Sequence, residues 1–280
     1  MGSCADARED TRIVAGRRVI SLVPSVTDLI VVLGADQYLV GRTRYDTAPE
    51  LAMLPSIGGT ADPSIEAIVA LEPDLVLTWR DSTAPGAAER LRSIGIAVHT
   101  VGTWTIADLR ATIAELGRLF AAERAADSLL RTLDDSLAAI RASSVAARPV
   151  RVLYMLSERP LMTVGGGTFI DEVIEVAGGR NIFHDQPPGW PTVSMEEVVR
   201  RDPELVIVPA VGDGPKRSEH LAQTPGLART SAARAGRIVA VPADLFDRPG
   251  PRLVVAARAL ATLIRRSRAD TSAAIPVPSP

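Results

Sequence analysis

Apolar positions along this chain fall into two alternating rhythms. Short aliphatic runs of about five residues read as buried strands. Longer stretches with apolar residues three and four apart read as helices. Residues 18–25 (RVISLVPS) form a run of the first kind that ends in Pro-Ser. Ser25 is placed to cap the apolar stretch 26–33, which stops at Gly34. A strand is expected at 39–43, a helix at 65–71 closed by Glu72-Pro73, and a strand at 75–79 (LVLTW). A helix at 87–94 ended by Gly95 and a strand at 97–101 follow. Strands alternating with helices of about ten residues indicate βα units and a mostly parallel sheet.

Residues 105–143 carry only the helical period. Ile106, Leu109, Ile113, Leu116 and Phe120 keep it, and so do Leu130, Leu133, Leu137 and Ile140. The stripe thins near Ala121, so two helices are expected, the second about 33 Å long at 1.5 Å per residue. The βα rhythm then restarts. Strands are expected at 151–156, 205–208 and 237–241, and helices at 168–177, 194–201 and 252–266. Gly178-Gly179 reads as a C-cap. The stretches around His184 and His220 read as polar loops.

One segment occurs twice. SIEAIVALEPDLVLT at 64–78 resembles SMEEVVRRDPELVIV at 194–208, an offset of 194 − 64 = 130 residues, with six of fifteen positions identical. Each copy opens with a serine N-cap and an acid in the first turn, which the helix dipole favours. Glu197 is placed to complete a capping box with Ser194. Duplication implies two similar α/β lobes. The fold class is therefore α/β, two Rossmann-like lobes with parallel-type sheets joined by one long helix, and a ligand cleft between them. The expected division is 1–16 leader or tether, 17–120 first lobe, 121–146 connecting helix, 147–267 second lobe and 268–280 disordered tail.

Composition narrows the function. The net charge of −2 offers no basic field for a nucleic acid. No run of 18 apolar residues occurs. A single Cys, Cys4, rules out a disulfide framework and a thiolate zinc site. The three His show no metal-ligand spacing, so no resident metal or cofactor is expected. Cys4 follows Gly2-Ser3, small residues of the kind that precede a lipidated cysteine, and reads either as a lipid anchor or as a stray thiol in the leader.

Few motifs suggest catalysis. Gly165-Gly166-Gly167-Thr168 opens a helix but is neither a Walker A nor a G-x-G-x-x-G. It reads as a ligand contact at a helix N-terminus or as a turn. Ser25 sits on a strand-to-helix turn, yet no G-x-S-x-G elbow and no base at a telling spacing accompany it. An α/β hydrolase-type enzyme is the alternative from another class. Asp244, Asp247 and Arg248 follow a strand, where α/β folds carry functional groups. Aromatic residues make up only 4% of the chain. Trp79 ends a buried strand, and Trp190 stands in a Pro/Gly loop (PPGWP) that is poor core material and suits a flat apolar ligand.

Taken in order, RVISLVPSVTDLI, VGRTRYDTAP, IEAIVALEPDLVLTWR, TVGGGTFIDEVIEVAGGRNIF, WPTVSMEEVVRRDPELVIV and ADLFDRPGPRLVVAA resemble the substrate-binding proteins of ABC importers whose two lobes share one helix, and the cobalamin-binding branch in particular. The likeness runs from about 18 to about 264. It implies a non-enzymatic, extracytoplasmic binder, monomeric, with a corrinoid as transported ligand and a permease dimer as partner. It implies ligand contacts at Ser25, Tyr45, Trp79, Arg80, Met162, Gly165, Trp190, Asp244, Phe246 and Arg248, and permease docking through Glu66 and Glu196. The membrane would be reached only through a lipid on Cys4. Thr60 and Leu245 stand where that branch carries Trp, and Met162 where it carries an aromatic. A haem or ferric-siderophore binder is the alternative within the class, with Tyr45 as an iron ligand and Arg44, Arg80 and Arg248 as partners for carboxylates.

Overall fold

The computed structural model describes residues 17–80, 85–102, 104–144 and 148–269. Cys4, the leader, Asp81, Ser82 and the tail from residue 270 lie outside them. The chain divides into two compact units. Met1–Gly102 with Arg110–Arg131 forms unit 1, and Thr103–Leu109 with Thr132–Pro280 forms unit 2.

Unit 1 is built on a four-stranded sheet in the order β2-β1-β3-β4, parallel throughout. Its strands are β1 (Val19–Ser21), β2 (Leu39–Gly41), β3 (Leu75–Trp79) and β4 (Ala97–Val101). The crossovers carry α1 (Pro24–Val32), α2 (Ile65–Ala70) and α3 (Pro85–Ser93). Ile20, Val76 and Leu77 are wholly buried, as expected for strands covered on both faces. Helix α1 starts one residue before Ser25. Val23 is its N-cap and Pro24 its first residue, where the missing N–H costs nothing. Ser25 therefore lies inside the first turn and is buried, and the cap expected of it does not form.

The helical stretch breaks where its stripe thins. α4 (Ile106–Leu119) and α5 (Glu123–Ser144) are separated by Ala121 in the left-handed region, φ 54°. The two helices close tightly at their junction, where a Cβ on Gly117 would stand 2.6 Å from that of Ala126. α5 has 22 residues, the length expected from its period.

Unit 2 repeats the parallel arrangement and adds to it. Its strands are β5 (Val150–Glu158), β6 (Leu161–Thr163), β7 (Gly179–Asn181), β8 (Leu205–Ala210) and β9 (Ile238–Pro242). β5 pairs β7 and β8 in parallel, β8 pairs β9 in parallel, and β6 folds back antiparallel on β5. The helices are α6 (Phe169–Val176), α7 (Met195–Arg201), α8 (Gly214–Gln223), α9 (Ser231–Arg234), α10 (Ala243–Phe246) and α11 (Leu253–Arg268). His220 is in α8 rather than a loop: the Asp213 side chain caps the segment, Pro215 stands in its first turn and Leu221 buries its apolar side. Among the described residues no helix is long and apolar enough to cross a membrane.

The duplicated segment folds alike in both units. Ser64 Oγ accepts the Ala67 N–H at 3.1 Å, and Ser194 Oγ accepts that of Glu197 at 3.1 Å. Each copy then reaches an acid with positive φ, Glu72 at 43° and Asp202 at 45°. Pro follows, and next a strand that lies beside the first strand of its unit. A left-handed non-glycine residue is uncommon, so its recurrence at the same place supports one ancestral device. The capping box is only half formed. Glu197 turns its carboxylate to Arg200 and Arg201 instead of its own cap.

Candidate ligand-binding site

In a parallel sheet all carboxyl ends face the same way, and that edge is where α/β folds gather functional side chains. Unit 1 presents the ends of β2, β3 and β4 there. Past β2, Thr43 N–H is held by the buried Asp46 carboxylate at 2.6 Å, and Tyr45 N–H donates to Thr43 Oγ1 at 3.2 Å. This turn projects Arg44 and Tyr45. Tyr45 is 47% exposed, with the Arg44 guanidinium 5.8 Å from its ring centroid. Arg44 is also ion-paired to Asp62. Trp79 ends β3 half-buried, and Arg80 follows, exposed, its N–H bonded to Val101 O at 2.9 Å. The Arg80 guanidinium lies across Gly102, where a Cβ would be 3.1 Å from it. Behind this edge His99 pairs with Glu115 at 2.8 Å. That hydrogen bond raises the imidazole pKa above 6.5 and lowers the carboxyl.

Unit 2 positions Trp190 with more backbone. Residues 161–166 and 186–193 lie against each other along their whole length. Val193 N–H reaches Leu161 O at 3.0 Å, Thr163 N–H reaches Pro191 O at 3.1 Å, Gly165 N–H reaches Gly189 O at 3.0 Å and Gly166 N–H reaches Gln186 O at 3.0 Å. The glycine run is what lets the strands approach. A Cβ on Gly165 would collide with the Pro187 carbonyl, and one on Gly166 with that of His184. Gly165 thus serves the backbone that carries Trp190. Met162 belongs to the same assembly, bridged to Thr192.

Asp171 locks the far end of this assembly. It is buried and accepts from Gly167 N–H at 3.0 Å, Asn181 Nδ2 at 3.0 Å and His184 Nδ1 at 2.9 Å. The Trp190 ring then packs on Trp104, centroids 5.4 Å apart and planes at 35°. Trp104 is the aromatic that the sequence reading passes over. Its signal was its place directly after β4, two residues beyond Gly102. Its carbonyl accepts the Phe169 N–H at 2.6 Å, which ties it to the start of α6.

The strand-end group 244–248 lies on α10 and the turn after it. Asp244 is exposed and paired with Arg252 at 2.8 Å. Leu245 and Phe246 are buried, so Phe246 faces the core. Asp247 accepts a 2.7 Å bond from the Tyr154 hydroxyl. Burial pushes its carboxyl up to about 6, against the pull of Tyr154, Arg217 and Arg248. The structure therefore groups Met162, Gly165 and Trp190 on one framework and Asp244, Phe246 and Arg248 on another, both in unit 2. Tyr45, Trp79 and Arg80 share the sheet edge of unit 1. No cluster of three His, Cys, Asp or Glu fit to hold a metal occurs among the described residues.

The two docking candidates are exposed. Glu66 takes a 3.4 Å contact from Ser64 Oγ. Neither it nor Glu196 has an ion pair among the described residues. Glu197, one position on, has its carboxyl pKa lowered by hydrogen bonds from Arg200 and then Arg201.

A family model described as periplasmic binding protein matches residues 19–245. The vitamin B12-binding protein of Salmonella typhimurium is 31% identical over 253 residues, 88% of this chain and 89% of that protein. The crystal structure of the periplasmic vitamin B12 binding protein of Vibrio cholerae superposes with a TM-score of 0.76 at 26% identity, covering 90% of this chain and 98% of that one. A periplasmic haem-binding protein from Pseudomonas aeruginosa superposes with a TM-score of 0.78 at 27% identity, covering 90% and 93%.

Proposed function

The chain belongs to the periplasmic binding protein family, a family of binders rather than enzymes, and we propose that it captures a corrinoid of the vitamin B12 type outside the cytoplasm and hands it to an ABC importer. The observation that carries this reading is Trp190, held by backbone on both sides and backed by Trp104. A ring fixed in this way loses little entropy on meeting a flat macrocycle. Trp79 and Tyr45 supply further apolar surface, with Met162 as adaptable filler. Arg80, Asp244 and Arg248 would bond the ligand's polar edge, and Gly165 and Phe246 would support the frame around it. Ser25, buried in the first turn of α1, would line the base of the unit 1 contribution.

Ligand chemistry follows from charge. A corrinoid presents neutral amide arms, which want both acceptors and donors. Asp244 beside Arg252 offers both. Haem presents carboxylates, which want free cations, and of Arg44, Arg80 and Arg248 the first is already paired with Asp62. The exposed phenol of Tyr45 and the haem-binding structural relative favour haem as the second reading. An absorbance scan of protein purified from its native host separates them. Corrinoid bands are expected, and a Soret band would replace this ligand by haem.

Delivery would use Glu66 and Glu196, one acid from each copy of the repeat, against cations of a permease dimer. Charge pairs at such a rim set orientation and association rate more than affinity. A lipid on Cys4 would hold the protein at the membrane.

A further inference from the structure

Helices α2 and α3 of unit 1 enclose a surface groove of about 620 Å³. Its walls are mainly apolar: Val69, Ala70, Pro73, Ile94 and Ile96. Val69 is 42% and Ile94 51% exposed. Large aliphatic side chains left half in water on α2 and on the turn after α3 form a patch that association would cover. Glu66 and Glu72 line the same groove, and Arg90 of α3 lines it beside them. The acid proposed for docking is therefore continuous with the apolar seat.

The second copy of the repeat removes this seat. Ala70 corresponds to Arg200 and Leu71 to Arg201 by the 130-residue offset. Both arginines are ion-paired to Glu197, and Arg201 also to Asp185. The outward side of α7 is thus a closed charge network, while that of α2 is an apolar groove edged by two acids without ion pairs among the described residues. Exposed acids beside an apolar slot ask for a partner segment that pairs a cation with an aliphatic or aromatic side chain.

Building on the docking proposed above, we infer that the α2–α3 groove seats an apolar side chain of the permease next to the cation that Glu66 engages. Docking is then unequal. Unit 1 forms a buried anchor in a pocket, the kind of contact that dominates interface energy, and unit 2 contributes charge pairing alone.

The test uses the full, cyanocobalamin-loaded chain and the host's vitamin B12 importer in lipid nanodiscs. Ala70→Arg copies the unit 2 residue at an exposed position, and Val69→Asp charges the groove wall. Each is expected to weaken the complex by about tenfold or more at about 0.5 M salt, where exposed ion pairs are screened. Cyanocobalamin affinity and the melting temperature should not change. If Val69→Asp alone disturbs folding, Ala70→Arg decides. Unchanged binding by Ala70→Arg, with the complex broken by Glu66→Arg, overturns the seat and leaves acid docking standing. A complex that survives Glu66→Arg with Glu196→Arg overturns the docking reading itself. A concentration-dependent dimer of the wild-type chain that Ala70→Arg dissolves, with permease binding intact, assigns the groove to a second copy and also overturns the proposal.

Discussion

Residues 64–78 of unit 1 and 194–208 of unit 2 share a serine cap, a left-handed acid before proline and a buried strand, but their outward faces differ. In unit 1 the helix leaves Val69 and Ala70 in water beside acids that have no ion pair among the described residues. In unit 2 the matching helix spends its charges on each other, through Glu197, Arg200, Arg201 and Asp185. The buried half of the device has been kept because it makes the sheet. The exposed half differs because no sheet contact constrains it. The same contrast holds at the strand ends. Unit 1 places Tyr45 on a short turn and Trp79 at the last position of β3, while unit 2 zips a loop to β6 and its extension to fix a single Trp.

The largest expected effect tests whether the two copies act as a pair. Reversing both Glu66 and Glu196 to Arg should abolish uptake in cells and leave cyanocobalamin affinity unchanged. An equal fall in affinity would place the acids in the ligand site. Next comes the aromatic contrast. Trp190→Ala should weaken cyanocobalamin binding by about 100-fold, since a rigid aromatic anchor is lost. Trp104→Ala should weaken it by about tenfold through loss of backing. Calorimetry on both variants checks the order, and equal losses would mean Trp104 itself meets ligand. Gly166→Ala should cost about 1–3 kcal/mol of stability by forcing the zipped segments apart. A denaturant midpoint matching the wild type would show that the close approach is not needed.

The smallest effects are in pH, and here the units differ in the interval over which stability is lost. His99 gains a proton affinity above 6.5 from Glu115, so its contribution is full below that value and is lost as pH rises through its raised folded value. Glu115 is depressed, so its part is present above 4.5 and lost as pH falls through its lowered folded value. The pair therefore supports unit 1 most between about pH 4.5 and 6.5. Asp247 in unit 2 has the same sign as His99 but acts over a lower interval. Its folded value of about 6 exceeds the ordinary 3.8, so stability falls as pH rises across that interval. Thermal melts across pH 4–8 should lose the fall in stability above about pH 6.5 in His99→Asn and the fall between about pH 4 and 6 in Asp247→Asn.

Much of this was legible from the chain. The strands at 75–79 and 97–101 are found with the bounds expected, because β-branched runs flanked by Pro, Asp and Gly admit little else. The break at Ala121 follows from a stripe that loses its apolar members. The parts that escape are those that depend on distant partners. β6 and β7 have three residues each and exist only through β5. α8 has few apolar residues, and its place in the structure depends on the Asp213 cap and on Leu221 reaching the core of its unit. The reason for the glycine run at 165–167 lies twenty residues away at His184 and Pro187, which no local pattern reveals. Trp104 escapes for the same reason. Its meaning comes from Trp190, 86 positions on by 190 − 104.

The central claim is that the chain binds a corrinoid through aromatic surface placed at the strand ends. Calorimetric titration with cyanocobalamin, run beside an identical titration with haem, tests it most directly. Saturable one-to-one binding of cyanocobalamin well below about 1 µM, lost in Trp190→Ala, is the expected result. No heat with cyanocobalamin at tens of micromolar, or tight binding of haem alone, would contradict the account.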